Sequence, residues 1–413
     1  MELPRKVIEL QRLRSRLRLD AASLLELRER KLRSLVDHAW RNVDYYRRLF
    51  DGAGVDPASI RTLADLERIP VTTKEDLRQA GPRVILARGT DPSACNRYLT
   101  SGTSGKALVV LTSPAEARTR LLVELRGLRA TGLLKAGERL AILGPVHWGP
   151  GHLYQRLGLF RRDYVSPQLS VNDQIARLEA LRPDILWAYP SLLMAIVERL
   201  GGRLSRAVRP RALVTSAEEI PGQLEASVRA DLDVAWFNFY GSAETGRIAW
   251  ECPAHEGLHL NADTLVLELV PDGTGATRTV VTALDSRMMP ILRYDLGDVT
   301  TEVGGACPCG VTFPRIHSPQ GRIVGLVRLP DGRSVSSWSL RSIVRDHPGV
   351  DQYRLHQKRP DHLVLHLVTR GSPSDVPALE NRLRDRLGPS VRLEVLAGPT
   401  MPPGPPATFV SDL

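Results

Sequence analysis

The stretch Tyr98-Leu99-Thr100-Ser101-Gly102-Thr103-Ser104-Gly105-Lys106 sets the reading of the whole chain. The apolar run Val109-Val110-Leu111 follows it, so a strand, a tight hydroxyl-rich loop and a returning strand are expected. Gly102 and Gly105 permit positive φ and close backbone approach. Successive N–H groups in such a turn form an anion-binding concavity, to which Thr100, Ser101, Thr103 and Ser104 add hydroxyls. Lys106 adds a compact cation suited to a phosphate. The common nucleotide loop G-x-x-x-x-G-K-[ST] is excluded, since two residues separate the glycines and Ala107 follows the lysine. Most Ser/Gly-rich turns bind nothing. A run of small polar residues closing on Gly-Lys between two strands nevertheless favours a polyphosphate cradle.

At 413 residues the chain exceeds the size at which one core keeps growing, so two or more domains are expected. Hydrophobic content of 42% and charged content of 25% are ordinary for a globular protein. No apolar run approaches the roughly 20 residues that span a bilayer. The Arg-rich N-terminus carries Glu2, Glu9 and Asp20 and lacks an apolar h-region, so no secretory signal is expected. Four cysteines make no disulfide framework, and a reducing, cytoplasmic home follows. The formal charge of +10 is spread through interleaved pairs such as Arg28-Glu29-Arg30, the pattern of solvated helix faces. The expected partners are therefore small molecules, with no nucleic acid and no membrane.

Apolar positions at helical spacing (Val7, Leu10, Leu13, Leu17, then Leu24, Leu27, Leu32, Leu35, Ala39) predict two or three helices within 5–50. Capped starts follow at Thr62–Asp65 and Thr72–Asp76. Beyond Tyr98 strands and helices alternate: strands at 139–144, 185–189, 212–216 and 235–240, helices at 171–181, 192–200 and 223–230. That alternation predicts an α/β fold with a parallel sheet covered by helices and ligands at the carboxyl ends of its strands. After Glu244 the pattern turns β-rich (265–270, 278–284, 291–295), and beyond Gly321-Arg322 it reads as a small α+β unit.

Further clusters suit the same ligand. Phe237-Asn238-Phe239-Tyr240-Gly241-Ser242-Ala243-Glu244 runs from a strand into a turn that ends in a carboxylate. Its aromatics suit an adenine and Glu244 suits a Mg²⁺ bridging phosphates. Arg293-Tyr294-Asp295-Leu296-Gly297-Asp298 places Asp298 after a glycine turn, able to accept ribose hydroxyls, and Arg322 supplies a cation to the ribose or α-phosphate.

In this order and spacing, Tyr98–Lys106, Tyr240–Glu244, Tyr294–Asp298 and Gly321-Arg322 resemble the motifs of the acyl-adenylate-forming (AMP-binding) enzymes. Within that superfamily the chain looks like the phenylacetate–CoA ligase and CapK-like branch. Tyr45-Tyr46-Arg47, Gly54-Val55-Asp56 and Ile69–Lys74 match that branch too. The resemblance covers nearly the whole chain from about residue 20. It implies an N-terminal helical region (1–80) packed on a large adenylate-forming domain (81–320) with a zinc-bound β-rich part, and a small mobile C-terminal domain (321–413). It implies an ATP-dependent, AMP-forming ligase that activates a small, aromatic acid as its adenylate for transfer to CoA or another acceptor, with ATP, Mg²⁺ and CoA as cofactors or cosubstrates. Lys106, Glu244 and Arg322 become the catalytic cations and metal ligand, Tyr240 lies against the adenine, and backbone around Ala217-Glu218 lines its edge. Asn238, Phe239, Gly241 and Ser242 complete the nucleotide wall. A homodimer is also implied.

Three of the four cysteines stand beside a histidine in Cys252-x6-His259 and Cys307-Pro-Cys309. Such a Cys3His set is a closed tetrahedral site for structural Zn²⁺. His255 competes with His259, and the resembled branch's Cys…Gly-Leu-His and Cys-x-Cys-Gly pattern favours His259. Cys95 is left over, as inert core.

Departures from the pattern bear on the product. Ala243 stands where the family has Thr or Ser before the metal acid, and Ile323-Val324-Gly325 replaces the acidic hinge pair after Gly-Arg. The late lysine, expected near Pro406-Ala407, is missing, and the last lysine of the chain is Lys358. Arg322 and Arg293 are candidate replacements. The alternatives are an adenylating enzyme with a non-CoA acceptor, including nitrite activation toward diazotisation of an arylamine, or a nucleotide-binding subunit with weak catalysis. His147-Trp148-Gly149-Pro150-Gly151-His152 follows a strand where the family lines its acid site, with His147 as a candidate base.

Overall fold

Apolar spacing in the first fifty positions becomes three helices: α1 (Glu2–Arg16), α2 (Ala21–Asn42) and α3 (Asp44–Ala53). Asp20 caps α2 by accepting from the Ser23 N–H, and Gly54 ends α3 in the left-handed region at φ 63°. The structure is a computed structural model that describes residues 2–100, 108–135, 137–144, 161–218, 220, 222–271, 277–319, 326–337, 340, 343–344, 347, 350–369, 376–398 and 409–412. Leu32, Leu35, Val36 and Ala39 of α2 and Tyr46 and Phe50 of α3 are buried together with Val266, Leu284 and Leu292, so the helices share a core with the β-rich segment. The start expected at Thr62 is a 3-10 turn, Ala64–Arg68, because Asp65 turns back to accept from the Arg61 and Thr62 N–H groups. Two short helices follow, α4 (Lys74–Ala80) behind a Thr73/Asp76 capping box and α5 (Pro82–Ile85).

Strands β1 (Asn96–Leu99) and β2 (Val109–Thr112) form an antiparallel pair with Tyr98 opposite Val110. Helix α6 (Pro114–Ala130) follows, started by a Ser113/Glu116 capping box with Pro at its first position. Then come β3 (Arg139–Leu143), β4 (Arg161–Val165), β5 (Ile185–Ala188), β6 (Ala212–Ser216), β7 (Ala235–Ser242), β8 (Gly246–Glu251) and β9 (Leu258–Leu260). Next are β10 (Leu265–Pro271), β11 (Thr277–Ala283), β12 (Tyr294–Asp295), β13 (Glu302–Val303) and β14 (Arg315–Ile316). The interleaved helices span Val171–Leu181, Pro190–Arg199 and Gly222–Asp231.

One nine-stranded sheet carries the order β13-β14-β9-β8-β7-β6-β5-β3-β4. Its β4-β3-β5-β6-β7 half is parallel, as the alternation predicts, but β7 turns directly into antiparallel β8, β9, β14 and β13. The β-rich part is therefore not wholly separate from the parallel sheet, because a short turn lets Ser242 pair Gly246. Both faces of the parallel half are apolar. Ile185, Trp187, Val214 and Phe239 face α6 residues such as Leu128, while Leu186, Ala188 and Leu213 pack with Leu178, Leu193 and Val197. A second sheet runs β10-β11-β12, and the strand expected over 291–295 shortens to its last two residues because Arg293 takes φ 42°.

By its contacts the chain divides into two units. The first is Met1–Leu269 with Thr279–Leu296 and Thr300–Ser318. The second is Val270–Arg278, Gly297–Val299 and Pro319–Leu413. In the second, β15 (Leu326–Arg328) pairs β16 (Ser334–Ser336). Strands β17 (Val350–Arg359), β18 (His362–Thr369), β19 (Arg392–Gly398) and β20 (Phe409–Ser411) form a sheet in the order β19-β18-β17-β20. Leu355, Leu363, Leu365 and Leu367 of this sheet pack against Leu379, Leu383 and Leu387 of the helix Val376–Leu387.

Candidate active site and metal centre

Loop residues 101–107 lie outside the described residues, and so do His147 and Arg322, so the expectations for Ser101, Gly102, Thr103, Ser104, Gly105, Lys106, His147 and Arg322 rest on sequence. The mouth of the loop is described. The Thr100 N–H donates to the Leu108 carbonyl (3.1 Å), and its buried Oγ1 accepts from the Leu108 N–H (2.9 Å). That reciprocal pair pinches the ends of the loop together, while the Thr100 O–H proton stays available to an anion.

Arg120 joins this hairpin to the turn after β7. Its guanidinium lies 5.3 Å from the Tyr98 ring centroid and donates to the carbonyls of Ala243 (2.9 Å) and Glu244 (2.5 Å). Burial lowers the Arg120 pKa, and nearby Tyr98, Glu116 and Glu244 partly offset that. The turn itself is tight. A Cβ on Gly241 would stand 2.7 Å from the Gly246 carbonyl oxygen, and Gly246 adopts φ 78°. The Ser242 Oγ accepts from the Thr245 N–H (3.2 Å), which settles that hydroxyl in the turn.

Glu244 is 7% exposed, and its Oε1 accepts from the Tyr294 hydroxyl at 2.8 Å. Among the described residues no Lys, Arg or His forms an ion pair with this carboxylate, since Arg120 takes the backbone carbonyls instead. A buried carboxylate without a direct ion pair fits a divalent cation. Tyr240, next to the turn, is 8% exposed. Phe239 departs from the expected nucleotide wall: it is fully buried against Trp187 and α6, its backbone paired with β6 on one side and β8 on the other, so it packs the core behind the site. The Asn238 side chain donates to Ser318 Oγ (2.8 Å). Ala217 takes φ 73°, the strained left-handed region for a residue with a Cβ, at the carboxyl end of β6. The Glu218 carboxylate accepts from the Ser191 N–H and hydroxyl at the start of the helix Pro190–Arg199. Asp298 is buried, in the short Gly297–Val299 segment of the second unit.

Arg293 is not available to replace the missing lysine. Its guanidinium is spent on the Glu268 carboxylate and the carbonyls of Glu67 (2.9 Å) and Ile69 (2.6 Å).

The ligand atoms of Cys252, His259, Cys307 and Cys309 all lie within 4.8 Å of one another. Cys252 follows β8, His259 lies in β9, and the two later cysteines stand in the loop between β13 and β14. Cys252 Sγ is 3.6 Å from Cys307 Sγ, and Cys309 Sγ is 3.3 Å from His259 Nε2. His259 Nδ1 lies 3.2 Å from the Phe313 carbonyl, which selects the tautomer that leaves Nε2 free for a metal. Burial lowers the His259 pKa and so favours the neutral ligand form, while burial pushes the Cys252 thiol up to about 12. His255 stays outside the cluster, stacked on Phe237 and paired with Glu251. Arg315 ties the two ligand loops together through the Glu256, Gly304 and Gly305 carbonyls. The chemistry of the donor set fits Zn²⁺. Cys95 departs from the expected inert core: it is half-buried at the edge, its Sγ 3.2 Å from Met288 Sδ.

Sequence reasoning missed Arg120, Tyr294 as a partner of Glu244, and the buried pair Arg126–Asp263. Arg126 donates to both Asp263 oxygens (2.9 and 2.8 Å), to Asn261 Oδ1 (2.7 Å) and to the Leu13 carbonyl of α1 (3.1 Å). Only an arginine at an otherwise core-facing helical position hinted at it.

Comparison with known proteins places this geometry. The fold is that of adenylate-forming enzymes. It matches 2-hydroxyisobutyryl-CoA ligase, in its postadenylation state with R3-HIB-AMP, over 96% of this chain and 91% of that one, at TM-score 0.73 and 19% identity. It also matches o-succinylbenzoate CoA synthetase from Bacillus subtilis, bound to its acyl-adenylate, over 74% and 66% at TM-score 0.53 and 15% identity. No family profile matches the chain. Phenylacetate-coenzyme A ligase of Thermus thermophilus is 31% identical over 321 residues, 72% of this chain and 70% of that protein. The Escherichia coli ligase of the same name is 27% identical over 362 residues, 82% and 80%. The chain belongs to the phenylacetate-coenzyme A ligase family.

Proposed function

We propose that this chain is an ATP-dependent, AMP-forming ligase that activates a small aromatic acid as its adenylate and passes the acyl group to CoA. The observation that carries the reading is the Arg120 bridge. One buried cation holds Tyr98, on the strand that leads toward the 101–107 loop, beside the turn that carries Glu244, which supports a phosphate site shared by the two segments. Attack of a carboxylate on the α-phosphorus brings anions together, and the barrier falls when fixed donors offset the phosphate charge. Lys106 and the N–H groups of the 101–107 loop supply that offset. A Mg²⁺ held by Glu244 would neutralise phosphate oxygens. Tyr240 takes the adenine, the strained backbone at Ala217-Glu218 lines its edge, and Asp298 and Arg322 hold the ribose and α-phosphate.

The acid lies at the carboxyl ends of β3 and β5. There the Tyr189 ring packs on Gly144, where a Cβ would stand 3.2 Å from it. His147 orients or deprotonates the acid. The Cys252/His259/Cys307/Cys309 set holds a structural zinc, with no position left open for chemistry. Residues 1–80 brace the large domain 81–320, and 321–413 form the small mobile domain. The enzyme works in the cytoplasm, on small molecules, as a homodimer. Among the described residues no helix is long and apolar enough to cross a membrane.

The last lysine is Lys358 and Arg293 is engaged elsewhere, which favours a second reading: adenylation followed by transfer to a non-CoA acceptor such as an amine. Release of AMP and pyrophosphate with a panel of aryl, short-chain and inorganic acids, with CoA, arylamine or neither, decides between them. CoA-dependent thioester supports the ligase, and amine-dependent AMP release without CoA supports the second reading. Tight ATP binding with no turnover on any acid refutes both and leaves a binding subunit.

A further inference from the structure

We propose that Tyr294 is a positioning residue for the metal-binding carboxylate of Glu244, an inference that rests on the functional reading above. The Tyr294 hydroxyl donates to Glu244 Oε1 at 2.8 Å, with the tyrosine 2% exposed and the glutamate 7%. Both groups are buried, so the contact is a charge-assisted bond in a low-dielectric setting. It occupies Oε1, so a cation would be held through Oε2. The turn cannot reach this state by itself, because Arg120 fixes its backbone carbonyls and touches neither carboxylate oxygen.

Tyr294 is itself held on three sides. The Thr72 N–H donates to the Arg293 carbonyl (2.8 Å), the Asp295 N–H donates to the Thr72 carbonyl (2.9 Å), and Tyr294 pairs Val281 of β11. The preceding Arg293 is locked at φ 42° by its bonds to Glu268, Glu67 and Ile69. A segment of the N-terminal region thus aims the hydroxyl at a carboxylate 50 positions upstream of it in sequence.

The test is Tyr294→Phe, which removes one oxygen from the ring. Mn²⁺ binding in the presence of ATP is read by electron paramagnetic resonance, and ATP binding in EDTA by calorimetry. Loss of a hydrogen bond to a charged group predicts Mn²⁺ affinity weaker by roughly ten- to a hundred-fold, with ATP affinity in EDTA unchanged. In a Glu244→Gln background the same substitution should add nothing, and this double-mutant cycle reads the coupling even where Tyr294→Phe is less stable. Mn²⁺ affinity of Tyr294→Phe within two-fold of wild type, or an undiminished effect in the Glu244→Gln background, overturns the inference alone. A wild-type chain that binds Mn²⁺ no better with ATP than without it overturns the functional reading together with the inference.

Discussion

Arg126→Met probes how α1 is fastened to the body. The substitution keeps most of the side-chain volume, so the cavity term is small, and what is lost is electrostatic. Two charge-assisted bonds to Asp263 vanish, along with the bonds to Asn261 and to the Leu13 carbonyl. Asp263 stays buried with only Arg16 at 3.3 Å and the half-buried Lys31 nearby. Breaking a buried pair costs roughly 3–5 kcal/mol, and the surviving Arg16 contact places the loss toward about 3 kcal/mol.

The loss should depend on pH. Burial would raise the Asp263 pKa, but Arg126 together with its hydrogen bonds holds it below the usual carboxylate range. A depressed pKa contributes stability that is fully present above the unfolded value and lost as pH falls through the folded one. In Arg126→Met burial prevails, so the penalty is relieved as pH falls. The gap between wild type and variant therefore narrows as the pH falls into and below the carboxylate range. Urea denaturation at a series of pH values measures it. A loss below about 1 kcal/mol at pH 7, or a gap that widens in acid, refutes the reasoning.

Metal analysis of purified protein should find about one zinc per chain, and Cys309→Ser should lower both the zinc content and the melting temperature; a stoichiometry near zero in the wild type removes the metal centre. Gly241→Ala should disrupt the turn, since its new methyl meets the Gly246 carbonyl at 2.7 Å. ATP-dependent turnover should fall at least ten-fold, with a stability loss of roughly 1–3 kcal/mol, and unaltered kinetics would show that the turn relaxes freely.

The order of strands and helices from β3 to β7 was legible in the chain, because periods of 2.0 and 3.6 in apolar residues record which face is buried. The helix Val171–Leu181 and the strand Ala212–Ser216 were expected at the bounds the structure shows. The single sheet running through β7 into β8 was not legible, because it depends on a turn whose partners, Ser242 and Gly246, look like any polar loop. The 291–295 strand was overestimated because nothing local announces that Arg293 takes a left-handed backbone.

The sequence by itself determined the family, the alternation that builds the sheet, and a Cys3His set whose residue types already restrict the chemistry. The choice of His259 over His255, favoured by the family pattern, is matched by the cluster the fold assembles, whereas only the tertiary structure decided that Arg293 is already engaged and that Arg120 and Tyr294 converge on Glu244. The division has a physical cause. Burial leaves a periodic trace along the chain, whereas the partner of a buried charge is chosen by whichever distant segment packs against it: Arg126 and Asp263 are 137 residues apart.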